Sequence, residues 1–82
     1  MVIPLYLPRE IEVVTNDSGE PAVVNWNNTR RKVAAILNVW RIDEEWWREE
    51  ISRRYFRVEL QNGLIMTVFH DLVSGRWYRQ KY

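Results

Sequence analysis

Polar and apolar residues alternate through Glu10-Ile11-Glu12-Val13-Val14-Thr15, as they do in a strand that buries one face. Asn16-Asp17-Ser18-Gly19 then offers side-chain acceptors and a glycine, the chemistry of a turn. Ala22, Val24 and Trp26 fall on one face of a second strand, and Asn27-Asn28 predicts a tight connection because Asn tolerates positive φ better than most residues. From Arg30 to Ile42 two periods overlap. Val33, Ile36, Leu37, Trp40, Trp47 and Ile51 lie close to helical spacing, whereas Val33, Ala35, Leu37 and Val39 alternate like a strand. The β-branched and aromatic residues tip this segment toward a strand over 31–39. A short helical or irregular acidic connection is expected after it, near residues 40–50.

The C-terminal third is clearer. Arg53 to Gln61 and Leu64 to His70 flank Asn62-Gly63, the strongest short-range hairpin signal, since a type I′ turn needs positive φ at both central residues. That two-residue loop pairs Leu60 with Ile65, Val58 with Thr67 and Phe56 with Phe69, and these pairs form the expected core face. A last strand over Arg76 to Tyr82 follows the turn Asp71-Leu72-Val73-Ser74-Gly75. If Asp71 pairs with Arg76, Phe69 faces Tyr78 and His70 faces Trp77; a bulge at Gly75 would swap the faces of Trp77 and Tyr78. Without the bulge, the face opposite the core collects Tyr55, Arg57, His70, Trp77, Arg79 and Lys81. Five or six short strands with tight turns predict an all-β fold, a small antiparallel barrel or roll of SH3-like size.

Composition narrows the chemistry. The 82 residues have room for one β domain, 1–82, with residues 1–8 expected as an extended N-terminal arm. There is no cysteine, so no disulfide and no thiolate zinc site, and His70 is the only histidine. Stability must come from aromatic mass: five Trp, four Tyr and two Phe. Charge is uneven beneath a formal net of +1, at −3 over residues 1–50 and +4 over residues 51–82. No apolar run approaches the roughly 20 residues of a membrane span, and Met1 to Leu7 lacks a basic leader. The chain therefore reads as soluble and cytoplasmic, with no membrane partner.

Catalysis finds little support. A triad would need His70 with Ser18, Ser52 or Ser74, and Asp71, adjacent in sequence, points to the opposite face of a strand. The acids Asp43, Glu44, Glu45, Glu49 and Glu50 lack calcium-loop spacing, and Arg41 and Arg48 stand beside them, so they read as a solvated face and not a metal site. No glycine-rich phosphate loop is present, and no cofactor is expected. Binding fits better. Arg bonds phosphate through its planar fork and stacks on bases, and Trp and Tyr on a sheet offer stacking platforms. The strip Tyr55, Arg57, His70, Trp77, Arg79 and Lys81 is thus a candidate nucleic-acid surface, against the plainer reading that Arg side chains cover aromatic rings for stability. Trp26 and Trp40 are expected in the core. Trp46 and Trp47 cannot both point inward from one strand, so one of them is a candidate protein contact.

The order of these signals resembles the small, largely uncharacterised domain fused to or encoded beside error-prone Y-family DNA polymerase proteins of bacteria. The resemblance covers about residues 9–80. It is carried by Asp17-Ser18-Gly19-Glu20-Pro21, Val24-Asn25-Trp26, Val39-Trp40-Arg41 with Trp46-Trp47, Arg54-Tyr55-Phe56-Arg57-Val58, and His70-Asp71-Leu72-Val73-Ser74-Gly75-Arg76-Trp77. Where that family often has a glycine and a basic residue, this chain has Asn27, Asn28 and Thr29. The resemblance implies a non-catalytic accessory role in DNA damage tolerance, with a DNA polymerase or other repair protein, or single- or double-stranded DNA, as partner. The alternative is a protein adaptor or homo-oligomerising domain that docks through Trp46, Trp47 and a sheet edge.

Overall fold

The computed structural model describes residues 8–46 and 49–80. Six strands follow in sequence: β1 (Arg9–Thr15), β2 (Pro21–Trp26), β3 (Thr29–Trp46), β4 (Glu49–Leu60), β5 (Ile65–Asp71) and β6 (Trp77–Gln80). Each pairs antiparallel with the next, and β6 returns to β1, closing a barrel in the order β1-β2-β3-β4-β5-β6. The expected all-β barrel is what forms. Closure gives every strand a neighbour in the ring, a stable solution for a chain that lacks cross-links. Among the described residues no helix is long and apolar enough to cross a membrane.

The first turns follow local chemistry. Asn16 accepts the backbone N–H groups of Ser18 and Glu20 through Oδ1, both at 2.9 Å, and Gly19 takes φ +78°. Asn27 and Asn28 sit at φ +52° and +60° between the paired residues Trp26 and Thr29. They make the tight two-residue connection that their tolerance of positive φ allows.

The hairpin at Asn62-Gly63 differs from expectation. Gly63 has φ +88°, but Asn62 is not among the residues with positive φ. Leu60 N–H donates to the Leu64 carbonyl at 2.8 Å and Gly63 N–H to the Leu60 carbonyl at 2.9 Å, so the loop has three residues, Gln61 to Gly63. This is the turn-plus-glycine-bulge alternative to the two-residue turn. It moves the β4–β5 register by one residue: Phe56 pairs with Val68, Val58 with Met66 and Glu59 with Ile65. The reason lies in packing. The observed register puts only apolar side chains opposite Phe56 and Val58, where the expected one would have buried the Thr67 hydroxyl.

The barrel interior holds Val24, Phe56, Val58, Leu60, Met66, Val68 and Trp77, with Ile11, Val13, Trp26, Val33, Ile36 and Leu64 packed against them. Phe69, expected on the core face with Phe56, is buried on the other side of the sheet. A second correction concerns residues 40–46, where a short helical or irregular connection was expected. There β3 continues as strand, and it pairs with β4 from Val33↔Leu60 out to Trp46↔Glu49. Cross-strand pairing satisfies the backbone groups that face β4 along the whole acidic stretch, which no isolated helical turn could do. Two register irregularities, at Val33/Ala35 and Ile36/Asn38, bend β3 so that its start joins β2 while its end runs on with β4 as a two-stranded arm.

Candidate functional site

The register shift divides the expected binding strip between two faces. Tyr55 and Arg57 lie outside the barrel, whereas His70, Trp77 and Arg79 share the interior side of β5 and β6 with Val68. The β5–β6 register is the expected one, with His70 opposite Trp77 and Phe69 opposite Tyr78 and no bulge at Gly75. A one-residue change in the preceding hairpin still carries that whole pair of strands to the other side of β4. Tyr55 and Trp77 are both buried, which removes them from any open stacking surface. Lys81 and Trp47 lie outside the described residues, and Trp46 ends β3 opposite Glu49.

Outside the barrel, Trp40, Tyr55, Phe69 and Tyr78 are successive partners across β3, β4, β5 and β6. Trp40 and Tyr55 stack with centroids 5.3 Å apart and planes 6° apart, and Tyr55–Phe69 and Phe69–Tyr78 follow at 4.9 and 5.2 Å. The Arg53 guanidinium lies 4.7 Å over Phe69 and donates to the Tyr55 hydroxyl at 3.4 Å. This ladder buries Tyr55 and Phe69 on the outer side and ends at Trp40, which is 39% exposed and not in the core as expected. From Val33 onward β3 is registered with β4 alone, so among the described residues its other edge is open. Leu37 and Val39 stand exposed beside Trp40 on that edge. Sequence reasoning missed this edge because strand length, and not residue type, creates it.

The arm carries a polar clasp. Arg41 Nε donates to Asp43 Oδ2 at 2.6 Å, and the buried Ser52 donates its hydroxyl to Asp43 Oδ1 at 2.6 Å. Hydrogen bonds from Arg41 and then Ser52 hold the Asp43 carboxyl below its usual pKa. Ser52, weighed in the sequence only as a nucleophile, is instead a structural donor. His70 stacks on Trp77 at 4.6 Å with planes 3° apart, and Asp71 Oδ1 accepts the Val73 backbone N–H at 2.9 Å. Among the described residues no group of three His, Asp or Glu side chains is placed to hold a metal ion.

At the other end of the barrel the Arg79 guanidinium lies 3.8 Å from the Trp26 ring centre, and Arg9 is its direct partner across β1 and β6. Burial and then the Arg9 charge lower the Arg79 pKa. Among the described residues three buried polar atoms have no hydrogen-bond partner: Asn25 Oδ1, Arg31 Nε and Arg79 Nε. Ion pairs within the described residues are confined to Arg41–Asp43 at 2.6 Å and Arg76–Glu10 at 3.6 Å. Among the described residues most arginines therefore have no carboxylate partner, and three of them, Arg53, Arg54 and Arg79, cover the Phe69, Phe56 and Trp26 rings.

No family model matches the chain, and neither the curated proteins nor the solved structures contain a match to it.

Proposed function

We propose that this chain is a non-catalytic accessory module that docks an extended segment of a partner protein along the open edge of β3. The observation that carries this reading is the edge itself: a strand paired on one side only from Val33 onward, with Leu37, Val39 and Trp40 exposed on it. An open edge offers a row of backbone donors and acceptors, and alternate side chains supply specificity when a partner strand adds to it. The resemblance to the polymerase-associated domain makes a Y-family polymerase or another repair protein the partner of choice. His70 and Asp71 support the non-catalytic part, since one is held in a stack and the other caps its own turn.

Co-purification with the polymerase polypeptide tests the docking. Leu37→Glu and Trp40→Glu place charge on the edge and are expected to abolish it, whereas Arg57→Ala leaves it intact. Retention with both edge variants refutes edge docking. Sedimentation of the chain alone separates docking of a partner from pairing of two copies through the same edge.

Nucleic-acid binding stands as a second reading, favoured by the arginines that have no carboxylate partner. The expected six-residue strip no longer forms one surface, so the contact must be made elsewhere. Fluorescence anisotropy with single- and double-stranded oligonucleotides at two salt concentrations tests it, because phosphate contacts weaken steeply with salt. Salt-independent binding, or none, counts against it.

A further inference from the structure

We propose that the barrel end framed by Arg9, Arg79 and Trp26 binds a phosphate-type oxyanion, either a free diphosphate or a nucleic-acid phosphate. It would give the nucleic-acid reading above a named phosphate contact, and it stands apart from that reading where the ligand is a free diphosphate. Arg9 and Arg79 are direct cross-strand partners, so two like charges face each other on one side of the sheet. Such a pair is destabilising unless a counter-charge stands between its members. No carboxylate among the described residues reaches either one.

Arg79 adds the directional part. Its guanidinium carbon lies 3.8 Å from the Trp26 ring centre, and a guanidinium held against an aromatic face keeps in-plane N–H donors that suit an oxyanion. One of its N–H groups, Nε–H, is buried with no acceptor among the described residues, at a cost that an oxyanion would remove. Arg31, opposite Val24 and therefore on the same face of the barrel, holds a second Nε–H without an acceptor. A cleft of about 330 Å³ opens beside Arg9 and Trp26 and reaches the turn residues Asn27 and Asn28. Glu10 and Glu12 also border it, but they alternate with Arg9 and Ile11 to the other face of β1, and Glu10 is engaged by Arg76. A diphosphate brings more than one negative charge, and a nucleic-acid phosphate one charge on each successive diester; either offers acceptor oxygens that two facing cations can share.

Calorimetric titration of pyrophosphate into the full chain, with ionic strength matched by chloride, tests the site. Binding is expected at millimolar concentration or tighter and at least tenfold weaker in Arg9→Gln and in Arg79→Lys, which keeps the charge but loses the planar fork. Arg57→Gln, on the outer face, is expected to bind normally. Arg9→Gln also guards against a folding artefact: by removing the like-charge contact it should raise the melting temperature of the free chain while erasing the pyrophosphate-induced rise. No binding at about 10 mM pyrophosphate, or an equal loss in Arg57→Gln, overturns the proposal. An oligothymidylate titration under the same conditions separates the two sources. Pyrophosphate binding without oligonucleotide binding supports a site for a free phosphate compound and ends the nucleic-acid reading, while oligonucleotide binding lost in Arg9→Gln supports the backbone phosphate.

Discussion

At single residues, backbone conformation decides most. Asn27 and Asn28 lie in the left-handed region that Asn enters at little cost, and their connection was legible from residue type alone. Gly63 is further out, at φ +88°, and a Cβ added there would meet nothing within 4 Å. Gly63→Ala is therefore expected to cost about 1–2 kcal/mol from backbone strain only, measured by urea unfolding, with no change in the β4–β5 contacts. Asp43 supplies a pH dependence. Its carboxyl has a lowered pKa, so the clasp with Arg41 and Ser52 contributes stability above the unfolded value of about 3.9 and loses it as pH falls through the folded value. Acidification below about pH 4 is expected to lower the protection of arm amides relative to their intrinsic exchange rates, and Asp43→Asn is expected to weaken that pH dependence. The clasp itself was not legible, because it joins residues from two strands whose register the pattern did not specify.

Among elements, the number and order of strands were legible and their lengths were not. Alternation marks where a strand begins, but the acids of 43–45 look the same whether they solvate a loop or a paired arm. The aromatic ladder follows from register, since Trp40, Tyr55, Phe69 and Tyr78 meet only when the β4–β5 loop has three residues. Its members differ in energetic weight. Phe56 is fully buried among the interior residues, and Phe56→Ala is expected to cost about 3–5 kcal/mol in denaturant unfolding. Trp40 stacks on one side only and is partly exposed, so Trp40→Ala is expected to cost about 1 kcal/mol. A loss at Trp40 as large as that at Phe56 would mean that the ladder, and not the interior, carries the fold.

For the whole molecule, closure separates a barrel from the arm that leaves it. The central residues of β4 and β5 are paired on both sides, whereas β3 from Val33 onward pairs only with β4 and the arm residues of β4 before Arg53 pair only with β3. Amides of Glu44, Glu45 and Glu50 are thus expected to exchange roughly a hundredfold faster than those of Phe56, Val58 and Val68, in keeping with the spread of local opening energies within one domain. Uniform protection measured by hydrogen exchange would argue that something covers the arm. By itself the sequence determined an all-β chain of five or six strands, two of the turn conformations, the absence of cross-links and the concentration of positive charge toward its C-terminal part. Those depend on residue type and near neighbours. Only the tertiary structure decided which face of β5 and β6 points inward, and with it that Tyr55 and Arg57 part company from His70, Trp77 and Arg79. Both faces of β5 carry apolar residues, so alternation with a period of two cannot choose between registers one residue apart. The choice is made when Met66 and Val68 close against Val24 and Trp77 from strands distant in sequence, and no local pattern records that contact.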